Sequence, residues 1–271
     1  MNIAITGAYG LVGSRVVELL KHDFTFIPLA HSEVDITDQK QAHKKLNNIN
    51  FDLLLHLAAY TKVDGAESER DLAYKINVTG TKNLFETCQD LNKKFIYIST
   101  DFVFDGKNPP YDENSKPNPI SYYGQTKYEG EKIVQGKAMI VRTSYPFKSQ
   151  NNKKKDFVHT VKSLLETNRE VVMVTDSQFT PTFIDDLANG LKNLLNNYQP
   201  QIYHLVGSQS LSPYHAGKLI AQYFQLNEEL VKPTTYAQYF AGKAKRPQWS
   251  KMKTIFKKLK LKSFKDCLEK T

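Results

Sequence analysis

Cysteine and long apolar runs are both scarce in this sequence. Only two of its 271 residues are cysteines, Cys88 and Cys267, and they lie far apart in the chain. This argues against a disulfide framework or a zinc site, and it favours two separate thiols in a reducing cytoplasm. No apolar run approaches the roughly 18 residues of a membrane span. The first residues also lack a charged region followed by a long apolar stretch, so we expect no secretory signal and a cytoplasmic protein.

Excess positive charge is missing from most of the chain, although the net charge is +9. Residues 243–271 contain eleven basic and two acidic residues, and the remainder of the chain is neutral. We therefore predict a neutral body with a basic C-terminal segment, and nucleic-acid binding is disfavoured. The basic segment has two main interpretations: a solvated helical face, or a surface that attracts an anionic ligand such as a nucleotide diphosphate. RNA or an anionic membrane is a third and weaker reading.

A glycine-rich turn follows the first predicted strand. The strand "MNIAITG" and the helix "LVGSRVVELLKH" flank Gly7, Gly10 and Gly13. Gly7 permits a tight turn, Gly10 lets the backbone approach a pyrophosphate, and Gly13 lets the helix pack against the strand. The free N–H groups at the helix N-terminus would then face the phosphates. This context predicts a dinucleotide-binding turn; the alternative is a glycine-rich turn without a ligand.

Strands and helices alternate through most of the chain. Five further strands and the intervening amphipathic helices predict a parallel sheet with right-handed crossovers, and Thr37 or Asp38 is a candidate helix cap. The fold class is therefore α/β: a Rossmann-like, doubly wound parallel sheet with a small C-terminal α/β part. The predicted strands are "FTFIPLA", "FDLLLHLAA", "KFIYIST", "KAMIVRTS" and "QIYHLVG", with "REVVMVTD" continuing the alternation.

The later chain is less regular. Residues 147–156 are polar and predict a mobile loop. From about residue 226 the strand pattern fades, and residues 252–270 predict a helix. We expect one Rossmann-type domain over residues 1–271, with an interleaved substrate-binding part formed mainly by residues 145–182 and 208–271.

The pattern Tyr-x-x-x-Lys occurs four times, so by itself it indicates little. Tyr123 and Lys127 differ from the other pairs because they have Thr100 as a neighbour. Thr100 ends a predicted strand, and the helix that carries Tyr123 begins at the same edge of the sheet, where ligands bind. Residues at i and i+4 share one helix face at roughly 5–6 Å. A lysine at that distance predicts a lowered tyrosine pKa, which would make Tyr123 a proton donor near neutral pH. The remaining pairs are Tyr128/Lys132, Tyr214/Lys218 and Tyr239/Lys243.

These motifs together resemble the extended short-chain dehydrogenase/reductases. Within that superfamily the chain is most similar to the dTDP-4-dehydrorhamnose reductases, over nearly its whole length. The residues that carry the resemblance are the glycine turn, "AAYT" (58–61), "STDFVFDG" (99–106), "YGQTK" (123–127), "RTS" (142–144), "DSQFTPTFIDDLA" (176–188), "IYHLVG" (202–207) and "KRPQWSKM" (245–252).

The resemblance implies a reaction and a set of site residues. NAD(P)H would reduce the C4 ketone of a nucleotide-linked 4-keto-6-deoxy sugar, for cell-surface polysaccharide synthesis. Thr100, Tyr123 and Lys127 would be catalytic, with Tyr123 protonating the forming alkoxide and Lys127 also holding the nicotinamide ribose. The implied substrate contacts are Thr100, Asp101, Tyr145 and Arg246. The implied cofactor contacts are Gly7, Gly10, Leu11, Val12, Gly13, Asp35, Ile36, Ala58, Ala59, Tyr60, Thr61, Tyr123 and Lys127.

Departures from the family pattern leave alternatives open. Phe102 stands where related dehydratases carry a glutamate, so dehydration is disfavoured; the reductases usually have Tyr there and Trp in place of Tyr145. The chain would otherwise be an NADP-binding, non-catalytic regulatory subunit resembling that of methionine adenosyltransferase, or a sugar-nucleotide epimerase. In Ala30-His31-Ser32-Glu33 there is no clear ribose-binding acid at the strand end and no arginine, so NADPH, slightly favoured, and NADH both remain open. A homodimer is the assembly we consider.

Overall fold

The fold is built on a six-stranded parallel sheet. In the computed structural model, which describes residues 1–148 and 156–270, the strand order is β2-β1-β3-β4-β5-β9. The inner strands are apolar along their length because helices cover both faces of the sheet. The strands are β1 (Asn2–Thr6), β2 (Thr25–Leu29), β3 (Leu53–His56), β4 (Lys94–Thr100), β5 (Met139–Thr143), β6 (Pro146–Phe147), β7 (Val171–Val174), β8 (Thr182–Phe183), β9 (Ile202–His204) and β10 (Val231–Thr234).

Helices pack on the two faces of this sheet. On one face Val16 of α1 and Leu191 of α8 share a core with β1, and on the other Leu46 of α2 and Leu84 of α5 share a second core. The doubly wound arrangement is therefore confirmed. The helices are α1 (Leu11–Leu20), α2 (Gln39–Asn47), α3 (Val63–Ser68), α4 (Arg70–Tyr74), α5 (Gly80–Asp90), α6 (Tyr122–Val134), α7 (Phe157–Glu166), α8 (Ile184–Asn196), α9 (Pro213–Tyr223), α10 (Tyr236–Tyr239) and α11 (Phe264–Leu268).

A third core lies beside the main sheet. It is formed where α7, α9 and α11 pack around two small parallel pairs, β7 with β10 and β6 with β8. Phe147, Phe157 and Phe264 contact one another there, with ring centroids 5.2–5.9 Å apart. The predicted loop at 147–156 falls mostly on residues 149–155, which lie outside the described residues. Asp156 is the N-cap of α7.

The chain between β3 and β4 does not form one continuous α-helix. Between α4 and α5, residues Lys75–Thr79 form a π-helical turn, whose wider ring adds one residue to the turn. The spacing of apolar residues does not reveal such a turn, because the π-helical turn alters the α-helical spacing over only one turn. The turn carries the buried side chain of Asn77. Of the two predicted caps of α2, Asp38 is the one that the structure shows: it accepts a hydrogen bond from the Gln41 N–H at 3.1 Å.

The helix predicted over residues 252–270 is wrong, and so is the loss of strand structure after residue 226. Strand β10 pairs with β7. Residues 252–263 form an isolated β-bridge from Met252 to Tyr111 and a 3₁₀ turn at Lys257–Leu259, and the short helix α11 follows. Apolar residues in this segment have near-helical spacing, but they enter different cores. Leu259 packs in the α1/α8 core, whereas Phe264 and Leu268 pack in the third core. Tertiary packing therefore overrides the local pattern.

The described chain contains neither a helix long and apolar enough to cross a membrane nor a cluster of three metal-ligating side chains. Both cysteines are unpaired and buried.

A buried ion pair joins α6 to the sheet. Glu131 and Arg142 are each 1 % exposed, and the guanidinium donates to both carboxylate oxygens at 2.8 and 2.6 Å. Arg142 also lies over the ring of Phe104 at 5.1 Å from its centroid. Because neither charge reaches water, each depends on the other for solvation.

Arg142→Met should lower the free energy of unfolding by about 3–5 kcal/mol, because it leaves Glu131 buried without its partner. Equilibrium denaturation in urea measures this loss. The double variant Glu131→Leu/Arg142→Met removes both charges and should lose clearly less. A double variant as unstable as the single one would show that the unpaired carboxylate is not the cause.

Candidate active site

A large cleft runs along the carboxyl ends of β1 to β5, with a volume of about 1000 Å³. Ligands of open α/β sheets bind at this edge. Most of the residues singled out in the sequence line it. They are Gly7, Gly10, Leu11, Val12, Gly13, Asp35, Ile36, Ala58, Ala59, Thr61, Thr100, Asp101, Tyr123, Lys127, Tyr145 and Arg246.

The glycine turn leaves no room for side chains. Gly7 has φ of +68°, and a Cβ on Gly13 would lie 2.2 Å from the Gly7 carbonyl oxygen. Gly10 donates its N–H to that same oxygen at 2.8 Å and forms the N-cap of α1. Among the described residues, no side chain caps α1 and no acid lies in its first turn. The turn therefore offers free N–H groups and no repulsion to a pyrophosphate, so the residues fit a dinucleotide.

The far end of the cleft is shaped by the loop after β2. Asp35 accepts hydrogen bonds from the N–H and the hydroxyl of Thr37, at 2.9 and 2.8 Å. The carbonyl of Ile36 accepts from Asn83 at 3.0 Å, and the Ile36 side chain fills the space above Gly80. The loop is therefore held in place before any ligand binds. Ala30 and His31, at the end of β2, also line the cleft.

Helix α6 brings Tyr123 to the cleft. Ser121 caps the helix by accepting from the Gly124 N–H at 3.1 Å. The absence of a side chain on Gly124 matters, because a Cβ there would lie 2.2 Å from the Phe102 carbonyl oxygen. The helix start can thus approach the end of β4. The ring of Phe102 meets Tyr123 edge-on at 5.5 Å between centroids.

The predicted lowering of the Tyr123 pKa is wrong for this structure. Burial raises the pKa of Tyr123 to about 12, and the nearby Thr100 hydroxyl offsets this only in part. The neighbouring ammonium cannot compensate, because burial also lowers the pKa of Lys127 to about 7. Tyr123 is therefore a fully protonated phenol at neutral pH. The spacing of the two residues in the sequence showed that Lys127 is a neighbour of Tyr123. It did not show that both side chains are buried away from water.

Lys127 lies under the cleft and is 4 % exposed. Its Nζ donates to the Ile98 carbonyl at 2.8 Å and lies 4.1 Å from the ring centroid of Tyr97. Glu131, one turn further along α6, is held by Arg142.

Thr100 and Asp101 close the end of β4. The Thr100 hydroxyl donates to Asp101 Oδ1 at 3.1 Å, and Ser144 donates to Asp101 Oδ2 at 3.0 Å. Asp101 is 1 % exposed. Burial raises the pKa of Asp101 to about 6, against the opposing effect of hydrogen bonds from Ser144, Ser250 and Thr100. The site thus holds a carboxylate beside the protonated Tyr123.

Tyr145 and Arg246 form the opposite wall. Tyr145 has φ of +41°, unusual for a residue with a side chain, and its ring packs against Phe179 at 4.6 Å between centroids. The Arg246 guanidinium is paired with Asp64 at 2.7 Å and lies over the ring of Phe240 at 4.8 Å. This pair joins the C-terminal segment to α3 across the mouth of the cleft.

Tyr60 departs from its predicted place. Its side chain does not line the cleft, and its hydroxyl donates to Glu69. Its backbone is held by Asn77, which accepts from the Tyr60 N–H at 2.8 Å and donates to the Tyr60 carbonyl at 3.1 Å. Asn77 also donates to Thr126 of α6 at 2.9 Å. Asn77 was missed because only the π-helical turn brings it to this position.

A buried histidine extends the same network. Thr6 accepts from the Leu57 and Ala58 N–H groups at 3.2 and 3.1 Å and lies 2.7 Å from His56 Nδ1. The other ring nitrogen lies 3.1 Å from Thr81, whose hydroxyl donates to the Asn77 carbonyl. Burial lowers the pKa of His56 to about 3, so the ring is neutral. Its network links the loop after β3 to the π-helical turn.

Known proteins resemble the chain over most of its length. The family model "RmlD substrate binding domain" matches residues 1–268. A dTDP-4-dehydrorhamnose reductase of Aggregatibacter actinomycetemcomitans is 33% identical over 264 residues, which cover 91% of this chain and 88% of that protein. The crystal structure of the Bacillus anthracis dTDP-4-dehydrorhamnose reductase in complex with NADP superposes with a TM-score of 0.91 at 34% identity, covering 99% of this chain and 97% of that one.

A third relative represents a different kind of protein. The rat methionine adenosyltransferase 2 subunit beta is 28% identical over 251 residues, covering 86% of this chain and 75% of that protein. The whole-chain family match, together with the dinucleotide cleft, decides the classification: this chain belongs to the RmlD substrate-binding domain family.

Proposed function

We propose that this protein is an NAD(P)H-dependent reductase that converts dTDP-4-dehydro-L-rhamnose to dTDP-L-rhamnose. The observation that carries the proposal is the convergence of Thr100, Tyr123 and Lys127 on a cleft whose glycine turn fits a pyrophosphate. The reductases described above, one of them in complex with NADP, support the reaction and the cofactor.

The chain's own residues supply a proton donor. The raised pKa keeps Tyr123 protonated at neutral pH, which suits protonation of the alkoxide formed when a ketone is reduced. The Thr100 hydroxyl would hydrogen-bond the same substrate oxygen. Phe102 cannot transfer protons, so the arrangement favours reduction over dehydration.

The cofactor would lie along the glycine turn, with Asp35 and Ile36 at its adenine end and Lys127 at its nicotinamide ribose. A bound nicotinamide cofactor supplies the hydride in this reaction. Neither a carboxylate nor an arginine occupies residues 30–32. This favours NADPH slightly, because nothing there repels a 2′-phosphate.

The sugar nucleotide would occupy the other half of the cleft. Asp101 and Tyr145 would contact the sugar, and Arg246 would face the diphosphate. We assign the substrate-binding role mainly to residues 145–182 and 208–271. We also propose that the protein acts in the cytoplasm, in cell-surface polysaccharide synthesis, and that it forms a homodimer.

A regulatory subunit is the second candidate, because the rat subunit is 28% identical to this chain over 251 residues. Such a protein would bind the cofactor without turning over the sugar. Tight NADPH binding with no ketone reduction would favour it. An epimerase would instead retain its cofactor through purification.

Tyr123→Phe should lower turnover by roughly two orders of magnitude or more, because it removes the proton donor. Oxidation of NADPH or NADH with dTDP-4-dehydro-L-rhamnose generated in situ measures this. Tyr128→Phe is the matched control, since Tyr128 is on the same helix, lies four residues before a lysine and does not line the cleft. Equal losses in both variants would exclude Tyr123 as the specific acid.

Arg246→Ala should raise the KM for the nucleotide sugar about tenfold, with a smaller change in kcat, because a contact to the diphosphate is made equally before and during the reaction. Steady-state kinetics at several substrate concentrations separate the two constants. Asp64→Asn is the control: it removes the partner of Arg246 but keeps the positive charge, so KM should not rise. An equal rise in KM for both variants would show that only the position of the segment matters.

A further inference from the structure

The environment of Lys127 contains very little that can stabilise a positive charge. Among the described residues no carboxylate forms an ion pair with it. Glu131 is bonded to Arg142, although through space it still raises the pKa of Lys127 in part against the effect of burial. One backbone carbonyl, from Ile98, accepts a hydrogen bond from Nζ. The remaining close contact is the face of the Tyr97 ring, 4.1 Å from Nζ.

Tyr97 is held in position for this contact by its backbone in β4 and by its hydroxyl group. The residue lies in β4 and is 0 % exposed, so no water competes for the ring face. Its hydroxyl donates to the backbone carbonyl of Lys127 at 3.3 Å. The helix can lie this close only because Gly130 has no side chain, since a Cβ there would be 2.4 Å from the Tyr97 hydroxyl.

We propose that Tyr97 is the positioning residue that holds the Lys127 ammonium in the cleft, through a buried cation–π contact with its ring face. A cation–π contact is strongest where water is excluded, and this one lies in the core. The hydroxyl fixes the ring against the helix, and the ring in turn fixes the charge. The inference rests on the proposed function, because it takes Lys127 to contact the cofactor.

Two ionisable groups near Lys127 keep one charge state near pH 7. His56 of β3 and Tyr123 of α6 are neutral, with their pKa shifted to about 3 and about 12. Glu131 lies one turn from Lys127 and is bonded to Arg142 in every variant. Asp101, also in the cleft, has its pKa raised by burial to about 6. Its side chain is the same in every variant, so each variant is compared with the wild type at the same pH.

Tyr97→Leu should weaken NADPH binding in a pH-dependent way. Removing the ring face destabilises the ammonium, so the pKa of Lys127 falls and the loss of affinity with rising pH begins about one pH unit lower than in the wild type. The ratio of variant to wild-type dissociation constants, from NADPH fluorescence, should approach one below about pH 5.5 and rise several-fold by about pH 7. A ratio that is constant across pH would overturn the proposal, because it would mean that Tyr97 only supports the fold.

Two further substitutions test the proposal if Tyr97→Leu does not fold. Tyr97→Phe keeps the ring and should keep the wild-type pH dependence, whatever stability it loses with the hydroxyl. Pentafluorophenylalanine at position 97 keeps the shape of that variant but removes the negative ring face, so it should shift the pH dependence as leucine does. If it behaves like phenylalanine, the cation–π contact is excluded even where Tyr97→Leu does not fold.

The test does not depend on the sugar. Cofactor binding can be titrated without any keto sugar, so a failure to reduce dTDP-4-dehydro-L-rhamnose would remove the proposed substrate and leave this measurement intact.

Discussion

The close approach of α6 to β4 is the constraint on which the site depends. Two glycines make it possible, since side chains on Gly124 and Gly130 would collide with the Phe102 carbonyl and with the Tyr97 hydroxyl. With the helix this close, a residue in its first turn reaches the end of the strand. The proximity of Tyr123 to the β4 terminus is therefore a matter of backbone packing, and side-chain flexibility has little part in it.

Desolvation, more than charge pairing, sets the protonation states in the cleft. It keeps the phenol of Tyr123 protonated, and it leaves Lys127 and Asp101 near the point where each changes charge around neutral pH. Groups in this condition respond strongly to what binds beside them. A polyanionic cofactor would favour the charged lysine, so the electrostatics of the site are completed by its ligand.

Residue types and their order predicted the sheet, the glycine turn and the candidates that line the cleft. They succeeded because apolar strands, Gly7 and the Tyr123/Lys127 spacing each impose local geometry. They failed where geometry is set by distant partners. The π-helical turn that carries Asn77, the strand β10 and the path of residues 252–263 depend on packing against other elements. The pKa direction of Tyr123 failed for the same reason, because burial is a property of the fold and is invisible in sequence spacing.

The segment that follows β10 contributes to two cores at once. Phe256 and Leu259 pack with the α1/α8 core, while Phe264 and Leu268 complete the third core. Neither core can open fully without exposing apolar surface that belongs to the other. The molecule should therefore unfold in one cooperative transition, although the two cores are built from different parts of the chain. A ligand that binds the glycine turn alone would then raise the melting temperature of the whole molecule, including the third core, which it does not touch.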